Sequence, residues 1–345
     1  MNFTAKFSFQ SICFISFFLA FPALSQQAEE VPPSSIINDA KQVKESVALI
    51  GLTKEIIVTG DMLYDSYFIG AETIQFKSGA RLIFSDKALA TRNNLIIAAK
   101  NIVNEDQQKP GVITWTRGDG PLSAPPQSGQ APGGAHGNNS GVSGSAGANG
   151  AQGNPGIAGK NAPNLTLFFI TATGAPPVID LRGQPGGQGG QGQKGGDGGN
   201  GHEGSPASSS IYECSSGAGY GGNGGSGGSG GLGGRGGDGG RGGTATIVTL
   251  PEAFPAVLQF IRADVSGGDG GDGGDGGDGG NGGVGGAQGA KSLPLCQDEP
   301  SRHGAAGLKG QQGGKGIKGA VGIQGDVFYT ALNNDAFSTI LGIQK

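Results

Sequence analysis

The sequence predicts an all-β base, a short β-solenoid or a β-sandwich, with inserted Gly-rich hairpins forming a polyglycine-II helical bundle. Of 345 residues 74 are Gly, while charged residues reach only 14% and aromatics 6%, a balance unlike an ordinary globular domain. Short β-branched and aromatic runs crowd the chain before residue 117 and recur between the Gly-rich stretches. Inside those stretches Gly returns at every third position without a slip.

In chain order, residues 1–25 read as a Sec-type signal peptide. Lys6 lies in a short n-region, an apolar stretch runs from Ile12 to Leu24, and Ala23-Leu24-Ser25 forms a small-x-small cleavage site. The apolar stretch is too short to span a bilayer comfortably. The mature chain is therefore expected to be secreted, periplasmic or at the cell surface, with no membrane span after cleavage near Ser25. A net charge of −4 with scattered basic residues points away from nucleic acid. Residues 26–45, with Pro32-Pro33, read as a flexible lead-in.

Residues 46–116 read as the β-rich base. Runs at Val47–Ile50, Ile56–Val58, Tyr67–Ile69, Ile74–Phe76, Leu82–Phe84, Leu95–Ile97 and Val112–Trp115 are separated by Gly, Asp or Asn, the pattern of short strands. Glu72–Phe84 and Asn94–Val103 each read as strand, tight corner and strand, which favours the solenoid. Further strands are expected within 164–182, at Leu165–Thr171 and Val178–Leu181, and within 244–266, at Thr246–Leu250 and Leu258–Val265. The last, Val327–Leu332, belongs to a C-terminal base strand and tail over 326–345. Each is too short to be stable alone, so all must complete the base.

Three Gly-rich insertions separate these strands, at 117–163, 183–243 and 267–325. The second runs out through Gly183 to Gly204 and back through Gly219 to Gly243; the third runs out through Gly268 to Gly289 and back through Gly304 to Gly325. In the first, only the returning run from Gly141 to Gly159 is clearly periodic. Flexible linkers have no reason to hold such a register. A helix of three residues per turn and about 3.1 Å rise places every third residue on one edge, and Gly there admits a neighbouring backbone. Such a helix has no internal hydrogen bonds, so its polar backbone must bond to neighbours or water. Each long insertion therefore reads as a hairpin of two antiparallel helices, extending roughly 70 Å. Gly304-Ala-Ala-Gly-Leu-Lys-Gly also fits a collagen repeat, but the tracts are poor in the Pro that pre-organises collagen chains.

These triplet runs, joined by non-periodic loops and set beside β-structure, resemble polyglycine-II helical-bundle proteins, represented by snow-flea antifreeze protein and the receptor-binding tail-fibre adhesins of T-even-like phages. The resemblance covers roughly 117–325, is architectural, and rests on the Gly period alone. For the adhesins it implies receptor binding by loops at the distal end of the bundle, and for the antifreeze protein ice binding by a flat face. A signal peptide is foreign to a phage adhesin, and the strand-rich N-terminal half is foreign to the antifreeze protein.

Beyond the signal peptide two cysteines remain, Cys214 and Cys296, each in the non-periodic middle of a long hairpin. Matched positions in an oxidising compartment predict a disulfide joining the two tips. Asp269, Asp272, Asp275 and Asp278 form a ladder, but neighbours about 9 Å apart are too far apart to share a calcium ion. Pairing residue 265 with 326 sets Lys315 opposite 276 and Lys318 opposite 273, so Asp272, Asp275 and Asp278 read as partners in structural charge pairs with Lys315 and Lys318. His136, His202 and His303 lie near the tips without diagnostic ligand spacing, and no metal or cofactor is expected.

No Ser-His-Asp spacing, phosphate loop or strongly placed carboxylate pair occurs, so no catalytic residue is assigned. The leading expectation is a secreted or surface-associated, adhesin-like structural protein that displays tip loops 202–218 and 290–303 to a cell-surface, glycan or matrix ligand. Tyr212, Tyr220, Leu295, Arg302 and His303 are the binding candidates, because aromatics and Arg favour recognition surfaces. The alternatives are an ice-binding or other extended-surface-binding protein, and a polysaccharide-acting enzyme of the solenoid type using acids such as Asp61, Asp65 and Asp86.

Overall fold

A computed structural model describes residues 33–117, 123–125, 127, 129–292, 294–296 and 302–342. The signal peptide expected at 1–25 lies outside the described residues. The elements are α1 (Pro33–Ile50), β1 (Thr53–Val58), β2 (Asp61–Tyr64), β3 (Phe68–Phe76), β4 (Arg81–Phe84), α2 (Asp86–Thr91), β5 (Asn94–Asn104) and β6 (Val112–Trp115). There follow β7 (Asn164–Thr173), β8 (Val178–Asp180), β9 (Ser208–Ser209), β10 (Cys214–Ser216), β11 (Ala245–Thr249), α3 (Phe254–Phe260), β12 (Ala263–Asp264), β13 (Val327–Ala331) and α4 (Asn334–Leu341).

The base is mostly β-sheet. One six-stranded sheet runs β1-β3-β5-β7-β11-β13 and a second, five-stranded sheet runs β12-β8-β6-β4-β2. Every pairing in both is parallel. The chain alternates between the sheets, one strand in each per turn, which is the winding of a solenoid rather than of an antiparallel sandwich. Inward-facing Phe76, Phe84, Trp115 and Phe169, with Ile74, Leu82, Ile97 and Leu167, are buried between the sheets. Trp115 Nε1 donates to the Arg182 carbonyl at 3.2 Å. At the corner beyond β5, Asn104 accepts from Gly111 N–H and donates to the Ala175 carbonyl, so one side chain ties successive coils together.

Several local expectations are corrected. The lead-in becomes helix α1 from Pro33, and Val47–Ile50 is its last turn rather than a strand. Ala40, Val43 and Val47 pack with Phe337, Ile340 and Leu341 of α4 over the outer face of the six-stranded sheet, and Asp39 accepts from Asn94 and Thr166 on that sheet. The tail after β13 is α4, capped by the Asn333 side chain and closed by Gly342 in the left-handed region, as helix ends require. Leu258–Val265 splits into the end of α3 and the two-residue β12. Asn94–Val103 belongs to one strand, as do Phe68–Ile69 and Ile74–Phe76.

All three Gly-rich insertions leave the base at the same corner, where the second sheet passes back to the first: β6 to β7, β8 to β11 and β12 to β13. Their tracts are assigned neither α-helix nor β-strand. They are cross-linked by backbone hydrogen bonds at every third residue, 2.8–3.1 Å long. Gly150, Gly153, Gly156 and Gly159 donate in turn to Ser229, Leu232, Arg235 and Asp238, and Gly186, Gly189, Gly192 and Gly195 to Asp269, Asp272, Asp275 and Asp278. These join tracts of like direction. Antiparallel neighbours are joined by Gly228, Gly231 and Gly234 donating to Gly196, Gln193 and Gly190. The outgoing half of the first insertion shares the period, because Ala131, Gly134 and Gly137 donate to Lys194, Asp197 and Asn200.

The outgoing tracts thus form one layer and the returning tracts another. Each layer continues a sheet: Ile179 and Leu181 donate to Arg262 and Asp264, then Gly183 and Gly186 to Ser266 and Asp269. Some backbone N–H groups at the outward third positions find side-chain acceptors. Ser229, Arg241 and Ala320 donate to Asn149, Asn161 and Asp238, and Asn281 to Asp197. That last bond is the main cause holding the Asp197 carboxyl below its ordinary value.

Glycine is required here for space. A Cβ on Gly231 would lie 1.9 Å from the Ala151 carbonyl oxygen, whereas one on Gly314 would meet only the Leu232 side chain at 3.4 Å. Gly231→Ala should therefore lower stability by about 1–3 kcal/mol, and Gly314→Ala should stay within about 0.5 kcal/mol, as read by thermal unfolding.

Asp180 ends β8 where the second insertion departs. Burial pushes its carboxyl up, but Arg182 at 2.8 and 2.9 Å and Arg117 at 3.0 Å outweigh this and hold it at about 2. The stabilisation is complete above the unfolded carboxylate value of about 4 and is lost as pH falls through about 2. Asp180→Asn should flatten that dependence and remove about 1–2 kcal/mol at neutral pH, less than full linkage because Arg182 is half exposed. Acid titration of the unfolding midpoint checks both.

Candidate functional site at the disulfide-linked tip

At the far end of the insertions the triplet register stops and ordinary polar structure takes over. Gly204 and Ala207 still donate to Ala287 and Ala290. Beyond them β9 and β10 form a small antiparallel hairpin, pairing Ser209 with Cys214 and Ser208 with Ser216. Its loop, Ser210-Ile211-Tyr212-Glu213, is held by Ser210. The Ser210 N–H donates to the Glu213 carbonyl at 2.9 Å, and its Oγ accepts from Tyr212 and Glu213 N–H at 3.3 and 3.1 Å. Such Ser-to-backbone turns fix a loop without a hydrophobic core.

Cys214 and Cys296 form the expected disulfide, with Cα atoms 5.2 Å apart. Cys296 is buried and Cys214 exposed. Beside it the Ser209 and Ser292 hydroxyls lie 2.7 Å apart. The bridge thus fastens the hairpin of the second insertion to the tip of the third. Residues 297–301, part of the second tip loop, lie outside the described residues.

The binding candidates separate into two groups. Tyr212 is 85% exposed on the hairpin apex, and Leu295 is partly exposed in the turn before Cys296. Ile211, 84% exposed beside Tyr212, belongs with them and was not singled out from sequence, although an apolar pair inside a Ser-rich loop is a usable signal. Tyr220 and Arg302 instead form a clasp: the guanidinium lies 4.9 Å from the ring centroid, Nη1 donates to the Ala218 carbonyl, and the Arg302 N–H donates to Gln288. Cation–π stacking of this kind favours order. His303 likewise accepts from Gln288 N–H through Nδ1, and His136 from Asn200 N–H. These histidines cap outward backbone N–H groups.

The expected charge pairs form one residue away from the symmetric register. Gly316 donates to Gly274, which sets Lys315 beside Asp275 and Lys318 beside Asp272, each pair at 3.9 Å. The same register places Gln312 opposite Asp278. Both ion pairs are exposed and so contribute at most about 1 kcal/mol each. Among the described residues, no group of three or more His, Cys, Asp or Glu side chains converges to hold a metal, and no helix is long and apolar enough to cross a membrane. The acids Asp61, Asp65 and Asp86 pair with Arg81, Lys87 and Lys160.

Reduction should loosen the tip before the base. Cys214→Ser/Cys296→Ser opens a covalent loop with a sequence separation of 82, worth about 4 kcal/mol on the chain-entropy model. Limited proteolysis of that variant should cut first within 205–218, with the base fragment surviving.

No protein-family model matches the chain, and no curated protein matches it. Among solved structures, a springtail antifreeze protein from Granisotoma rainieri, a nine polyproline type II helical bundle, aligns at 27% identity over 54% of this chain and 97% of that one, with a TM-score of 0.08. At that score the two backbones do not superpose, and the likeness says nothing of the fold.

Proposed function

We propose that this is an exported, non-enzymatic display protein: a polyglycine-II-type bundle that holds a recognition loop at its distal end for a cell-surface, glycan or matrix ligand. The observation that carries the reading is the apex Ile211-Tyr212, two large apolar side chains held almost fully in solvent by a hairpin that Ser210 and the Cys214–Cys296 bridge make rigid. Exposed apolar side chains on a preordered loop lose little entropy on binding and are of the type that dominates recognition surfaces. The period-three hydrogen bonding supports the bundle, whose spacing and bare Gly edges suit helices of three residues per turn. The signal-like N-terminus and the disulfide support an oxidising destination outside the cytoplasm.

The test is a labelled-protein screen against surface polysaccharides and extracellular-matrix proteins, run alongside Ile211→Ser/Tyr212→Ser. The variant should bind at least tenfold more weakly with an unchanged unfolding midpoint. Equal binding by both forms would remove the tip from the function.

A further inference from the structure

The corners where the six-stranded sheet passes to the five-stranded one differ in length. That of the fourth coil spans only 174–177, whereas its neighbours span 105–111 and 250–262, the latter carrying α3. A short corner recessed between two long ones leaves a cleft of about 490 Å³, a size suited to one small ligand. Ala175 and Pro176 lie at its floor, with Gln107, Gln108 and Pro110 on one side and Arg262 on the other.

The walls are fixed before any ligand arrives. Asp106 accepts from the Gln108 and Lys109 N–H groups and from Ser78 Oγ, which pins the 105–111 corner to the second coil. The buried Asn104 side chain joins the Gly111 N–H to the Ala175 carbonyl. Across the cleft the Arg262 carbonyl accepts from the Ile179 N–H at 2.9 Å, which holds the residue against β8.

Charge and polarity name the class of ligand. Arg262 is exposed, and among the described residues its guanidinium makes no ion pair or hydrogen bond. No acidic side chain lines the cleft, since Asp106 is committed to the contacts just named. The carboxamides of Gln107 and Gln108 are likewise unbonded among the described residues. A guanidinium is a planar fork that meets a carboxylate in two parallel hydrogen bonds, and a carboxamide both donates to and accepts from hydroxyls. Pro110, Ala175 and Pro176 supply apolar surface for the C–H face of a sugar ring.

We infer that this cleft binds a uronic acid unit of an acidic polysaccharide, with the carboxylate on Arg262 and the hydroxyls on Gln107 and Gln108. It stands at the corner opposite the one from which the insertions leave. A molecule held there by an acidic polysaccharide points its tip away from that surface. This orientation rests on the display function proposed above; the cleft does not.

Calorimetric titration of the intact exported protein with tetragalacturonate tests the site. The expected dissociation constant is below about 1 mM. The fully methyl-esterified tetramer keeps the rings but loses the charge, and should bind about tenfold more weakly. Arg262→Gln should weaken binding of the acid about tenfold and leave that of the ester unchanged, with an unaltered unfolding midpoint because the residue is exposed. Gln107→Ala/Gln108→Ala should weaken acid and ester alike, by about threefold. The tip variant Ile211→Ser/Tyr212→Ser should bind the tetramer as the wild type does, which separates this cleft from the tip. Equal affinity for acid and ester, undiminished binding by Arg262→Gln, or no binding by the wild type at about 5 mM would each overturn the assignment. Tighter binding of a sulfated oligosaccharide of the same length would overturn the carboxylate as the recognised group.

Discussion

The backbone hydrogen bond made at every third residue, across a gap that only glycine leaves open, is the interaction on which the upper part of this protein depends. An extended chain with three residues per turn satisfies none of its own polar groups, and ordering glycine carries a large entropy loss. Both demands are met by the same contact. With no Cβ in the way, an N–H such as that of Gly231 reaches the Gln193 carbonyl at 2.8 Å, and the row repeats along the whole tract. Some of the N–H groups that face outward are taken by Asn, Asp, Ser, Gln or His side chains of a neighbouring tract.

The number of glycines per triplet sets how many neighbours a tract accepts. The 219–243 tract is mostly Gly-Gly-X and is bonded to four others, those at 141–162, 183–204, 267–289 and 304–325. The 304–325 tract is mostly Gly-X-Y and, among the described residues, is bonded to two. Its second and third positions carry Leu308, Lys309, Ile317, Lys318 and Val321, side chains that stop another backbone from approaching. The base supplies what the tracts lack. Each layer grows out of an existing parallel sheet, so the first bonds of each tract are set by strands held in a hydrophobic core.

Much of this was legible because period three is unambiguous and because matched cysteines in matched loops leave one sensible pairing. The losses came where signals overlapped. The helix α1 carries apolar residues at Ile36, Ala40, Val43 and Val47, a helical spacing, yet Pro32-Pro33 suggested a flexible segment, although Pro33 suits a first helical turn. The run Val47–Ile50 is apolar and partly β-branched, and at four residues it cannot be told from a strand by pattern alone. At the C-terminus, Asn333 and Gly342 were available as cap and stop for α4. The one-residue error in the lysine register arose from assuming a symmetric hairpin, whereas Val265, at the end of the base, sets it by accepting from Gly325. At the tip the candidates were read by residue type, which cannot distinguish the free ring of Tyr212 from that of Tyr220, already stacked beneath Arg302.

The shared corner from which all three insertions leave the base bears on how the molecule carries load. A pull applied at the disulfide-joined tip runs along the tracts, while the hydrogen bonds between them lie across that direction. Every row is then sheared at once, and none can be peeled open one bond at a time. The force passes into parallel strands that continue the same lines, so the anchor and the lever arm share a single grain, like wood split only with difficulty along several bonded fibres at once.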